Sequence, residues 1–386
     1  MATSAVNLAR LLTIRNDIKD AIEDKGVTIP SGTAFDDYPT YISQISGGGG
    51  NEPIYGVSGL YNSATALTRT DNAIGLDFVI NSSSGTIDSD FDRVFPWNET
   101  EIVQDAAGKF IKFPEMYFRV GADSSHRLTD IAVSKSPSGG GDWYRVDPFM
   151  YGCYGASIEN DVTLASRSGV RRSVGNRRAN YHNYAAATGE GYVQNNLYHH
   201  TIVLFLWLIE FAEKDASALF TKVESNVLQN LLTGVTDSLP TPSGFDTVSL
   251  QMRYHCIEDF VGNFREFFDG FCGSAVGVGD YAIADPSQYP GYGTTGLNQL
   301  GYPSAGSGCI AALGWDESNP FLCMPCEVVS NQQFNTYFCS QNSKGSAYET
   351  VHCGFGQGGG MINMSYGTTN MNSSTVGTRL IKILRD

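Results

Sequence analysis

The fourteen residues from Ile257 to Gly270, IEDFVGNFREFFDG, constrain this chain more than any other stretch. They set Phe260, Val261, Phe264, Phe267 and Phe268 among Asp259, Asn263, Arg265, Glu266 and Asp269. No single period fits them all. Phe260, Phe264 and Phe267 or Phe268 would share one face of a helix, whereas Gly262 and Gly270 favour a short piece with a tight exit. Five large apolar side chains in nine positions must be buried, and the polar groups between them must then be hydrogen-bonded. The expectation is a core hub, with aromatics inside and the carboxylates and Asn263 tying neighbouring loops together.

A chain of 386 residues admits one or two domains. With 41% hydrophobic and 17% charged residues it is a folded protein rather than a disordered one. Its 43 Gly, 20 Tyr and 21 Phe suit a loop-rich fold with aromatic cores, not a helical bundle. A formal net charge of −15 argues against nucleic acid as a partner, because phosphate must be neutralised by Lys and Arg. The basic stretch Arg167 to Arg178 is short and glycine-interrupted, and reads as a salt-bridged or solvated loop. The opening MATSAVNLARLL has no secretory pattern. The longest apolar run, Ile202 to Ile209, is eight residues, too short to cross a bilayer, so no membrane insertion is expected.

In chain order, residues 1–45 read as a helical module. Leu11, Ile14, Ile18 and Ala21, beside Leu8 and Ile22, form a stripe, and Phe35, Tyr38, Ile42 and Ile45 suggest a second short helix. So few residues cannot bury a large core alone, so the stripe is expected to dock on copies of itself or on another protein. Residues 46–52 are a Gly-rich joint, and residues 53–386 form the large domain. Phe110, Ile111, Phe113, Met116, Phe118 and Val120 are expected in partly buried strands. Leu197 to Ala212 is the best helix, apolar nearly all round, so its lone Glu210 needs a partner. A second helix is expected from about Ala216 to Leu232. Residues 331–375 are nearly free of charge and rich in Asn, Ser, Thr, Gly, Tyr and Phe. Recognition loops use this repertoire: Tyr gives rigid contact area, and Ser, Asn and Gly give adaptable polar contacts.

The hub resembles the I-E-N-x-x-G-N-x-x-E-W-x-D-G signature of the formylglycine-generating-enzyme-like branch of the C-type lectin fold. Ile257, Glu258, Gly262, Asn263, Glu266, Asp269 and Gly270 match it; Asp259 and Phe267 replace the usual Asn and Trp. That branch includes sulfatase-modifying enzymes, non-catalytic phage tail proteins and the variable proteins of diversity-generating retroelements. The pattern AIEDKG…IPSGTAFDDYPTYISQI resembles an N-terminal module of phage tail proteins, and STVGTRLIKI resembles the closing strand of the fold. The resemblance implies an α+β, C-type lectin fold carrying a small helical N-terminal module.

In diversified members the mutable positions lie just before the closing strand. That makes Asn331, Gln333, Asn335, Tyr337, Ser340, Asn342, Tyr348, His352, Asn363, Ser365, Tyr366, Asn370 and Asn372 the candidate recognition residues. The function implied is a non-enzymatic phage tail receptor-binding protein, an adhesin made in the host cytoplasm and carried on the virion. It would engage a host cell-surface protein or carbohydrate, join other tail proteins through residues 1–45, and form a homo-oligomer, a trimer being favoured.

Two alternatives stay open. One is a copper oxidase of the formylglycine-generating kind, for which Cys339 and Cys353 lie in the right region without matching flanks. The other is a structural tail or baseplate protein with no receptor. Cys323, Cys326, Cys339 and Cys353 have a spacing that zinc accepts and that buried free thiols explain equally well. Asp259, Asn263 and Asp269 offer oxygens for calcium or for loop hydrogen bonds. No catalytic residue, cofactor or metal ligand is assigned from the sequence.

Overall fold

Short hairpins are what this sequence makes first. Apolar pieces of four to seven residues alternate with polar ones and are cut by Gly, Asn and Asp, so neighbouring segments pair locally. Phe78–Asn81 pairs antiparallel with Thr86–Ser89, Glu101–Asp105 with Gly108–Phe113, Met116–Ala122 with Leu128–Ser134, and Ser157–Glu159 with Thr163–Ala165. In Met116–Ala122 the alternation is visible directly: Met116, Phe118 and Val120 are buried while Tyr117 and Arg119 are half-buried.

The computed structural model describes residues 2–23, 29–30, 32–38, 52–61, 64–215, 219, 232–248, 251–261, 265–273, 277–285, 288, 296–306, 308–330, 337–339, 364–365 and 376–384. The chain forms two compact units, Met1–Pro53 with Ser136–Gly140, and Ile54–Lys135 with Gly141–Asp386. In the first unit, helix α1 (Ala2–Glu23) places Ile22 with Ile29 and Tyr38 in a small buried cluster that Ile18 flanks. Arg15 lies over the Tyr38 ring and donates to the Thr33 carbonyl at 2.7 Å. The anticipated stripe therefore divides: Ile18 and Ile22 cover the cluster, while Leu11 and Ile14 are 63% and 42% exposed. The stretch expected to form the second helix opens with a 3-10 turn, Phe35–Asp37, followed by Tyr38 in helical conformation; its remaining residues, Ile42 and Ile45 among them, lie outside the described residues.

The larger unit is mostly β. One five-stranded sheet runs in the order 68–71, 54–58, 128–134, 116–122, 143–146, and a second in the order 192–194, 379–383, 149–155, 108–113, 101–105. A third has the order 257–258, 252–254, 244–245, 86–89, 78–81, and four smaller sheets complete the unit. Helix α2 (Arg178–Thr188) and helix α3 (Leu197–Phe211) are its α-helices among the described residues. Asn196 caps α3 by accepting from the His199 amide, and Ala212 ends it in the left-handed conformation. Every α3 residue except Tyr198 is buried, as an all-round apolar helix requires. It packs against strands 54–58 and 128–134, and its Phe205 meets Phe118 and Phe321. Among the described residues no helix is long and apolar enough to cross a membrane.

This architecture corrects the expected α+β, C-type lectin fold. Among the described residues the chain is dominated by small, mostly antiparallel sheets, with three α-helices. The reason is local: frequent turn residues keep strands short, so the chain makes many small sheets rather than one large one. The second expected helix, about 216–232, lies outside the described residues apart from positions 219 and 232.

The hub is not a helix either. Ile257–Glu258 and Arg265–Glu266 are short strands, Asp269 bridges to Asn196, and Asp259 has φ +53°. Adjacent Phe267 and Phe268 enter two different cores. Phe268 joins Phe260, Trp207 and Tyr254, whereas Phe267 joins Tyr181 and Leu380. Opposite-facing neighbours are strand behaviour, which is why no helical period fitted the sequence.

Candidate functional site

Of the candidate recognition residues, Tyr337 and Ser365 are placed on backbone. They lie in strands Tyr337–Cys339 and Met364–Ser365, neighbours at one edge of the sheet ordered 325–329, 308–313, 337–339, 364–365. Cys309 pairs with Tyr337, and Cys339 pairs in parallel with Ser365. Asn331, Gln333, Asn335, Ser340, Asn342, Tyr348, His352, Asn363, Tyr366, Asn370 and Asn372 lie outside the described residues, as do the 46–51 part of the joint and Cys353. Among the described residues the chain next pairs at Val376–Gly377, parallel to Arg265–Glu266, and then as Arg379–Ile383 between strands 192–194 and 149–155.

That final anchor is built from charge. Arg379 is fully buried and donates to Glu266 Oε1 at 3.0 Å, to the Gly152 carbonyl at 3.0 Å and to the Glu258 carbonyl at 2.8 Å. Gly152 is required here, since a Cβ at this position would meet the Leu380 carbonyl at 2.7 Å. Asn195 Nδ2 donates to the other Glu266 oxygen, and its Oδ1 accepts from the Tyr151 hydroxyl at 3.2 Å.

The remaining hub carboxylates are likewise engaged. Asp259 accepts from Arg172 at 2.9 Å and Gln251 at 2.8 Å. Asp269 accepts from Arg178 at 2.6 Å and pairs with His182, whose pKa that contact raises. Glu258 accepts from the Gly234 and Thr236 amides and the Thr236 hydroxyl; burial, then Asp259, push its pKa up to about 7. Asp259 and Asp269, offered above as calcium oxygens, thus bind cationic side chains, and Asn263 is outside the described residues. The basic stretch supplies counter-charge to the hub: Arg172 and Arg178 are buried, and Arg167 makes a half-exposed pair with Glu159. Sequence reasoning expected a salt-bridged or solvated loop there and named no partners, because charges 87 and 91 residues apart carry no local signal.

A second constellation was not foreseen as a group. Glu210, 0% exposed in α3, is paired with His255 Nε2 at 2.8 Å, and His255 Nδ1 lies 3.8 Å from Asp92 Oδ1. Burial disfavours the His255 imidazolium, but Glu210 and Asp92 outweigh it and its pKa is raised; burial pushes Asp92 up to about 6. Among the described residues this is the cluster able to offer three ligand atoms to a metal ion. Its sequence signal was the single carboxylate in an apolar helix.

The cysteines give no reactive counterpart among the described residues. Cys323 and Cys326 are free, and burial raises both thiols, Cys326 to about 12. Two surface hollows of about 520 and 380 Å³ share Ile383 and Leu384 in their walls; neither draws together the groups above. No family model matches the chain, and no curated protein matches it.

Proposed function

We propose that this protein is a non-enzymatic receptor-binding component of a phage tail, whose 331–375 segment contacts a protein or carbohydrate on the host surface. The observation that carries the reading is the anchoring of that segment. It departs from strand Pro325–Val329, touches the sheet edge at Tyr337–Cys339 and Met364–Ser365, and re-enters the core at Val376–Gly377 beside the Arg379–Glu266 pair. A charge-poor stretch rich in Asn, Ser, Gly and Tyr, held at points on a rigid β body, combines adaptable contacts with low ordering cost. Residues 1–45 attach the chain to other tail proteins or to copies of itself, and a homotrimer would raise avidity without new contacts. Retroelement diversification of the Asn-rich positions is part of this proposal.

The test compares the full chain with a variant carrying Asn342→Ala, Tyr348→Ala, Asn370→Ala and Asn372→Ala. Binding to intact cells of a bacterial strain panel is measured beside the melting temperature. The proposal expects wild type to bind at least one strain and the variant to lose that binding at an unchanged melting temperature. Copper-dependent consumption of a cysteine-containing peptide would instead establish the oxidase alternative.

A further inference from the structure

We propose that the surface hollow of about 380 Å³ at the head of α3 binds one neutral sugar ring, with His199 Nε2 and the Tyr198 hydroxyl as its anchoring hydrogen-bond groups. Its volume falls within the roughly 300–1,000 Å³ of small-molecule sites. Distant segments build it: Arg145 and Asp147 between two strands, the first turn of α3, Asp285 beyond strand Tyr281–Ala282, and Ile383 at the end of the closing strand.

His199 is the informative residue. It is 5% exposed and lines the hollow. Asn196 fixes its tautomer. Asn196 Nδ2 donates to the Gln194 carbonyl at 3.3 Å, while its Oδ1 accepts from the His199 amide at 3.0 Å and lies 2.9 Å from His199 Nδ1. An acceptor facing Nδ1 requires the proton there, so Nε2 keeps a bare lone pair. Burial lowers the pKa of this imidazole to about 3, and the ring stays neutral. Among the described residues Nε2 has no partner, and neither has the hydroxyl of the half-buried Tyr198, which burial keeps protonated. Polar groups on residues this enclosed are rarely left unmet, and both belong to the wall of one hollow.

The other walls select the ligand. Asp147 and Asp285 disfavour an anion, and the Arg145 guanidinium is already paired with Glu115 at 2.7 Å and Asp147 at 2.9 Å. A bare metal ion is not matched, since among the described residues His199 and these carboxylates do not gather as a three-ligand set. An ammonium group would meet the carboxylates but lose hydration against Pro148, Ile383 and Leu384. A sugar ring brings hydroxyls for the lone pair, the phenol and the carboxylates, and C–H faces for the apolar wall. Among the described residues none from 331–375 lines the hollow, so this site is separate from the recognition segment proposed above.

The experiment uses the full chain and a panel of methyl glycosides of common neutral hexoses, deoxyhexoses and N-acetylhexosamines, read by saturation-transfer NMR and titration. Wild type is compared with Tyr198→Phe, with Tyr192→Phe in the other hollow, and with the alanine variant of 331–375 described above, each beside its melting temperature. At least one glycoside should bind wild type with a millimolar Kd. Tyr198→Phe should weaken that binding roughly fivefold, the loss of one hydrogen bond, at an unchanged melting temperature. The other two variants should bind as wild type does. In histidine-labelled chain the nitrogen resonance of His199 Nε2 should be that of an unprotonated atom and should move when the glycoside is added. Absence of binding across the panel, binding of methylguanidinium or butylammonium in place of the glycosides, undiminished binding by Tyr198→Phe, a protonated Nε2, or binding lost with the 331–375 substitutions would overturn the site.

Discussion

Arg379 shows what single residues contribute. Its Nε and both terminal nitrogens meet acceptors on strand Arg265–Glu266, strand Phe149–Gly155 and Glu258. Removing the guanidinium strands a buried Glu266, so Arg379→Met should cost roughly 3–5 kcal/mol in urea unfolding. Arg379→Lys should recover little of this, because one ammonium cannot reproduce the planar fork. His200, in tilted ring contact with Phe260 and Phe268, is a pH-dependent liability. Burial lowers its pKa to about 3. The folded state therefore refuses a proton that the unfolded chain accepts below about 6.5, and this stability is present at neutral pH and lost as pH falls. Measured between pH 5.5 and 4.0, the stability of wild type relative to His200→Phe should decline by about 1.4 kcal/mol per pH unit. A flat difference would show that the imidazole is solvated.

At the level of elements, α3 is the part that sequence described best. An unbroken apolar run with one carboxylate could only be a buried helix, and the observed Leu197–Phe211 stops one residue short of the expected end. Leu206→Ala, at 0% exposure, should cost roughly 2–5 kcal/mol, read from the urea midpoint at constant slope. The hub was legible as a core but not as backbone. Burial of Phe260, Val261, Phe267 and Phe268 follows from their chemistry, whereas their two-sided arrangement depends on strands 376–377 and 252–254, which no local pattern announces. The Asp92–Glu210–His255 cluster was illegible for the same reason, since its members belong to three elements that meet only when folded.

For the whole molecule, the α+β expectation failed because it was carried by a motif, and a motif fixes a few contacts rather than a sheet order. What sequence did convey is an aromatic-rich body and a charge-poor segment, 331–375; that the body is mostly β and knit by buried charge is seen only in the structure. If that contrast is functional, body and segment answer separately to mutation. Changes such as Arg379→Met lower stability, and changes within 331–375 alter binding alone.

The most direct measurement is equilibrium binding of the fluorescently labelled full chain to intact cells of a responsive strain, with and without the Asn342, Tyr348, Asn370 and Asn372 alanine substitutions. The account predicts at least a tenfold loss of affinity in the substituted chain with its melting temperature unchanged. Undiminished binding by that chain would contradict it.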